Sequence, residues 1–191
     1  MSLTLLQDAR LFHLCLRVDV DLADEARAGG CTCGGVLHVA NYWRKAKGVP
    51  ATMPSDYGLR LSFCCNQDDC RRRRTPPSLW LLGRKVYLGA VVLLATALQH
   101  GVTPVRASKL RELVGVSRRT LQRWRQWWLS AFVETRFWRE ACAFFMPPVE
   151  EVRLPASLIE RFAPSGGERA RVLAALRFLR PITTTMASRA S

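Results

Sequence analysis

The stretch that most restricts what this chain can fold into is residues 107–128, ASKLRELVGVSRRTLQRWRQWW. With Gly115 at a turn, Leu110, Val114, Val116, Leu121 and Trp124 fall at the five positions that must meet when two short helices cross near a right angle. The register predicts a helix-turn-helix. Ser117 is placed to cap the second helix through its hydroxyl. Arg118, Arg119, Thr120, Gln122, Arg123, Arg125 and Gln126 then line that helix's outward face. Guanidinium and carboxamide groups together suit the hydrogen-bonding edges of guanine and adenine, so this is the candidate base-reading surface. Arg111 stands where a small residue normally lets two such helices approach, which predicts a looser crossing. An ordinary amphipathic helix pair with a solvated basic face would use the same residues.

The rest of the composition agrees with a polyanionic partner. In 191 residues, 29 Lys and Arg stand against 15 Asp and Glu, a formal charge of +14, which favours nucleic acid over an acidic membrane surface. The longest apolar run, residues 86–98, is too short to span a bilayer. Asp8 and Arg10 interrupt the apolar N-terminus and no small-residue cleavage pattern follows, so no secretory signal is expected and the location expected is cytoplasmic, associated with the nucleoid.

Seven cysteines without an export signal point to metal or free thiols before disulfides. Cys15 and Cys142 lie alone among apolar residues and are expected to be buried thiols. Cys31, Cys33, Cys64, Cys65 and Cys70 form two groups about thirty residues apart. CTCGG, then VLHVANYWRK, then YGLRLSFCCNQDDC has the layout of a zinc ribbon, with two cysteine-bearing turns at strand ends placing four thiolates around one structural Zn2+. Gly34 and Gly35 suit the first turn, where positive φ is needed. Leu59, Leu61, Phe63 and Cys65 alternate with Arg60, Ser62 and Cys64, so Cys65 rather than Cys64 is expected to face the metal. The expected ligands are Cys31, Cys33, Cys65 and Cys70. His38 is a substitute ligand or, preferably, a strand residue beside the site, and the competing reading is a set of reduced thiols without metal. A β module this small buries too little apolar surface to fold unaided.

Elsewhere the pattern is coarser. LCLRVDV at residues 14–20 alternates and predicts an extended segment, and Asp19, Asp21, Asp24 and Glu25 predict a solvated acidic loop. Arg71, Arg72, Arg73, Arg74, Arg84 and Lys85 are the candidate phosphate contacts, positioning without reading sequence. Pro76 and Pro77 predict a linker. Residues 86–100 predict a scaffold helix, and the second helix of the pair is expected to run on through Leu129 and Phe132. Trp124, Trp127, Trp128, Phe132, Phe137 and Trp138 predict a buried aromatic stripe. Residues 156–162 and 168–179 predict two further helices, packed on that stripe or forming a dimer contact, before a frayed tail. The fold class expected is α+β: a segment with a zinc ribbon over 1–78, an all-α helix-turn-helix domain over 79–145 and a helical extension over 146–191.

CRRRRTPPS followed by a helix and GVSRRTLQRW resembles the N-terminal zinc-ribbon and helix-turn-helix module of insertion-sequence transposases, over roughly residues 31–128. With Phe137-Trp138, MPPV at 146–149 and RFLRPITT, the whole chain is similar to an uncharacterised bacterial family of the same plan that occurs with mobile elements. The resemblance implies fold and metal ligands, and no chemistry.

Catalysis itself is not supplied. Two-metal phosphodiester chemistry needs clustered carboxylates, yet no aspartate follows Asp69 and the later glutamates are scattered apart from Glu150-Glu151. Only His13, His38 and His100 are present. The function expected is non-catalytic recognition of double-stranded DNA, regulatory or transposon-associated, with structural zinc. The alternative is a nucleic-acid-binding subunit of a larger ribonucleoprotein or transposase complex, with RNA, a second copy or an effector protein as partner.

Overall fold

A computed structural model describes residues 3–44, 48–50, 53, 55–82, 86–99, 101, 103–162 and 167–185. The fold is mixed, with helices and small antiparallel sheets in one chain. No helix among the described residues is long and apolar enough to cross a membrane.

The N-terminal segment is the first departure from expectation. Residues 14–20 are not extended; they belong to helix α1, Ala9–Ala28, capped by Asp8, whose carboxylate accepts from the Arg10 N–H at 3.0 Å. Seven residues fit a period of two, but over twenty the buried set Leu11, Phe12, Cys15, Asp19, Leu22, Ala23 and Ala26 follows the 3.6 period of a helix. The acidic loop is therefore the C-terminal half of α1. Asp21, Asp24 and Glu25 are exposed on it, whereas Asp19 is buried.

Asp19 explains why residues 76–81 are no linker. Its carboxylate accepts from the Ser78 hydroxyl and, at 2.6 Å, from the Leu79 N–H. Ser78 Oγ in turn accepts from the N–H groups of Trp80 and Leu81 at 3.0 and 2.8 Å, and the Ser78 N–H donates to Thr183 Oγ1 at 3.1 Å. Buried Arg60 donates to the Pro76 carbonyl at 2.5 Å. Trp80 lies edge-on to Phe12, ring centres 4.7 Å apart, and its indole N–H donates to the Tyr57 carbonyl at 2.7 Å. A polar knot thus fastens α1, the segment after the prolines and the C-terminal end of the chain.

Burial pushes the Asp19 carboxyl up to about 6, against the opposing pull of the Ser78 and Leu79 hydrogen bonds and the Arg60 charge. The folded state then holds the proton more tightly than the unfolded chain, near 3.8. The stability this contributes is complete below about pH 4 and is lost as pH rises through about 6. Urea unfolding across that range should show the wild-type free energy falling relative to Asp19→Asn; parallel profiles would contradict the burial.

The main core runs through all three expected units. It joins Leu6 and Phe12, Leu79 and Trp80, Val91 to Ala95 of helix α2 (Leu88–Ala97), and Val172, Leu176 and Leu179 near the C-terminus. The expected cuts at 78 and 145 both fall inside this shared packing. α2 begins later than residue 86 because Val86–Tyr87 forms strand β7, paired with β6, Leu81–Leu82. The helix is apolar all round, as burial on every side requires. His100 lies outside the described residues.

Helix α3, Pro104–Val114, is capped by Thr103, and helix α4, Arg118–Leu129, by Ser117. α4 stops at Leu129 instead of running to Phe132, and Phe132 is buried in the following turn. The aromatic stripe is core nevertheless: Trp128 to Phe132 and Phe132 to Trp138 are 4.7 and 5.0 Å between ring centres. Trp138 sits on α5, Arg136–Ala141. Cys15 is fully buried, but Cys142 is only half so. Helices α6, Ala156–Glu160, and α7, Gly167–Leu179, return onto the stripe, with Phe178 of α7 5.2 Å from Phe137 and 5.3 Å from Phe145. A last short helix, α8, spans Ile182–Thr185; the expected frayed tail, residues 186–191, lies outside the described residues.

Candidate metal centre and nucleic-acid interface

The β module is built from three short antiparallel strands in the order β1 (Leu37–Val39), β4 (Phe63–Cys65), β5 (Arg73–Arg74), beside a pair β2 (Tyr42–Trp43) and β3 (Leu59–Arg60). Two turns project from one end. In the first, the Gly34 N–H donates to the Cys31 carbonyl at 2.9 Å and the Cys31 N–H to the Gly35 carbonyl at 3.1 Å, with Gly34 at φ +82°. In the second, the N–H groups of Cys70 and Arg71 both reach the Gln67 carbonyl, and Arg71 takes φ +41°. Asn66 Oδ1 accepts from the Val36 N–H at 2.9 Å and ties one turn to the other.

These turns bring the sulfurs of Cys31, Cys33, Cys65 and Cys70 within 4.8 Å of one another. Cys31 and Cys70 are 3.8 Å apart and Cys33 and Cys65 3.4 Å. Four thiolates held tetrahedrally at the Zn–S bond length would be about 3.8 Å apart along each edge, so the set fits a metal ion, and its donor chemistry suits a soft or borderline divalent one. Cys64 is excluded. It pairs with His38 and Arg73 on the other face of the sheet, and its thiol donates to the Arg71 carbonyl at 3.3 Å. His38 is exposed on β1, beside the cluster and outside it.

The period-two argument picks the cysteine that lies in the cluster, yet its parity fails upstream. Arg60 and Ser62 are buried while Leu59 and Leu61 are only half so, because β3 and β4 are separate strands with a break between them. Gly35 matters for space rather than for positive φ: a Cβ there would lie 2.6 Å from Cys65 Sγ and 2.8 Å from Gln67 Cγ.

The thiols do not titrate alike. The Cys33 N–H and thiol pull Cys31 down to about 6. Backbone N–H groups of Gly35, Gln67 and Arg72 also pull on Cys33, Cys65 and Cys70, but neighbouring sulfurs and desolvation outweigh them and leave all three raised. One ionised sulfur makes each further ionisation harder, and a cation at the centre reverses that. Binding of a metal ion here would therefore release protons.

The arginine run is exposed, but its guanidiniums are already engaged. Arg71 pairs with Asp68, Arg72 donates to Thr32 Oγ1 at 2.9 Å, Arg73 to the Ala40 carbonyl at 2.8 Å, and Arg74 to the Gly30 carbonyl at 2.5 Å. They staple the turns and strands of the β module, and each keeps further N–H donors for solvent or phosphate. Arg84 and Lys85, the other expected phosphate contacts, lie outside the described residues.

In the helix pair, Leu110, Val114, Val116, Leu121 and Trp124 are all buried, Gly115 takes φ +65°, and Ser117 Oγ accepts from the Thr120 N–H at 3.3 Å. Arg118, Arg119, Gln122, Arg123 and Gln126 are exposed; Thr120 and Arg125 are half-buried. Arg111 points to solvent, and Ala107, one turn earlier, is the buried small residue. Between Asp69 and Glu134 the sequence carries one acidic residue, Glu112, so neither α4 nor the turn before it contributes a carboxylate. Gly48, in the connection from β2 to β3, packs so closely that a Cβ would lie 2.7 Å from the Trp124 ring of α4. That contact joins the β module to the helix pair. No protein-family model, curated protein or solved structure matches the chain.

Proposed function

We propose that this is a non-catalytic, duplex-DNA-binding protein in which α3 and α4 form a helix-turn-helix and the four cysteines hold a structural Zn2+. The observation that carries the reading is the division of α4 between two environments. Leu121, Trp124 and Trp128 are buried, while Arg118, Arg119 and Arg123 stand exposed with no hydrogen bond or ion pair among the described residues. Unpaired guanidiniums beside carboxamides on a rigid helix are suited to the major groove. Zinc is favoured for the cluster because four thiolates close the coordination shell and leave no open position for chemistry. A regulatory or transposon-accessory role on the same site rests on the sequence resemblance of residues 31–128 to the N-terminal zinc-ribbon and helix-turn-helix module of insertion-sequence transposases, to which no family model or solved structure adds support.

Substitution separates base reading from backbone contact. Arg119→Ala and Gln122→Ala should each cost about 1–3 kcal/mol on the preferred duplex and relax base preference. Arg72→Ala with Arg73→Ala should weaken all duplexes alike and flatten the plot of log K against log salt by about two. Equal affinity of the α4 variants and the wild type for the preferred duplex would sink the proposal, and RNA bound more tightly than any duplex would favour the ribonucleoprotein alternative.

A further inference from the structure

Five of the six tryptophans are buried or half-buried, and Trp43 is 64% exposed. It lies on β2, which pairs with β3 through Tyr42↔Arg60 and Trp43↔Leu59. Its ring rests near the backbone at Gly58, where a Cβ would be 3.6 Å from Trp43 Cε3. Period two sends Tyr42 to the opposite side of this narrow ribbon, where two guanidiniums meet it. Arg44 lies 4.6 Å and Arg73 5.4 Å from the Tyr42 ring centre, and Arg44 donates to the Tyr42 hydroxyl at 3.0 Å. The ribbon thus carries an aromatic ring on each face, with the guanidiniums of Arg44, just past the strand, and of Arg73, from the exposed run Arg71 to Arg74, on the Tyr42 side.

We propose that Trp43 is a stacking platform for an unpaired base of a nucleic-acid strand whose phosphates pass along Arg44 and the arginine run. The charge selects the occupant: across the narrow ribbon from the exposed indole, the guanidiniums of Arg44 and Arg73 gather at Tyr42, and a phosphodiester backbone complements them. The indole selects the form. In a duplex the faces of a base are covered by its neighbours, whereas an unpaired base offers a free π-face to an aromatic side chain. The surface belongs to the β module and does not depend on α4 reading a duplex.

The test uses the full zinc-loaded chain with labelled oligo-deoxythymidine and oligo-uridine of roughly fifteen nucleotides, and a duplex of similar length. Both single strands should bind and quench tryptophan emission. Trp43→Ala should weaken strand binding about tenfold or more, Trp43→Phe should retain most of it without the quench, and duplex affinity should stay within about twofold for both. Arg119→Ala with Gln122→Ala should do the reverse, losing duplex preference and keeping the strands. The ratio between the two strands tells whether DNA or RNA is preferred. Unchanged strand affinity in Trp43→Ala, an equal loss on strand and duplex, or a concentration-dependent dimer abolished by the substitution would each overturn the proposal. Zinc content and far-ultraviolet circular dichroism report folding, and should Trp43→Ala misfold, the quench in wild type and its loss in Trp43→Phe decide.

Discussion

Cys65→Ser is expected to strip the chain of its metal, while Cys64→Ser, one residue away, leaves one ion per chain. The two sulfurs differ in face. Cys65 is buried and 3.4 Å from Cys33, whereas Cys64 hydrogen-bonds to the Arg71 carbonyl on the far side of β4. The consequence should be large, because the apolar cluster beneath the sheet consists of Ala23, Ala26, Leu37, Phe63 and Cys65, packed by Cys31, Leu61 and Cys70. So small a core cannot hold a β module by itself, and a structural zinc in such a module is worth about 10–16 kcal/mol of apparent binding energy. Metal analysis of the purified variants reads the stoichiometry, and amide exchange reads protection of β1 and β4, which should vanish in Cys65→Ser and on chelation. An ion retained by Cys65→Ser, or lost by Cys64→Ser, would contradict the ligand set.

Trp128→Ala should be the most damaging single change in the helical part. The side chain is fully buried, with Trp127 and Phe132 at 5.0 and 4.7 Å between ring centres. Truncating an indole in such a place costs about 3–5 kcal/mol, which for a chain of this size lowers Tm by roughly 6–20 °C. Trp128→Phe should be much milder. It keeps a ring and removes an indole N–H that is buried without a hydrogen-bond partner among the described residues, so only the lost volume counts. Calorimetry on both variants checks the pair, and similar Tm values for the two would place Trp128 outside the core. Trp128 also fixes the rotation of α4, so the alanine variant should bind duplex less tightly even below its Tm.

What the sequence disclosed depended on range. The helix pair was legible because its evidence is local: a cap at Ser117, a turn glycine at Gly115 and five apolar positions within fifteen residues. The thiol set was legible because parity on one strand separates Cys64 from Cys65. Helix α1 was misread because a window of seven residues satisfies both periods and only the longer window decides. The role of Asp19 rests on Ser78, fifty-nine positions away, and nothing near Asp19 distinguishes it from its exposed neighbours Asp21 and Asp24. Pro76 and Pro77 carry the ordinary signal of a loop, yet the carbonyl of Pro76 is where a buried arginine ends. The arginine run reads as a row of phosphate contacts because charge is read from sequence without its acceptors, which here are the Asp68 carboxylate, the Thr32 hydroxyl and the carbonyls of Ala40 and Gly30.

The most direct test is selection of bound sequences from a random duplex pool by the zinc-loaded chain, repeated with Arg119→Ala and Gln122→Ala. Enrichment of a short motif whose preferred bases change in the variants is the result expected of a base-reading α4. No enrichment, or a motif identical in wild type and variants, would show that the exposed face of α4 does not read duplex DNA.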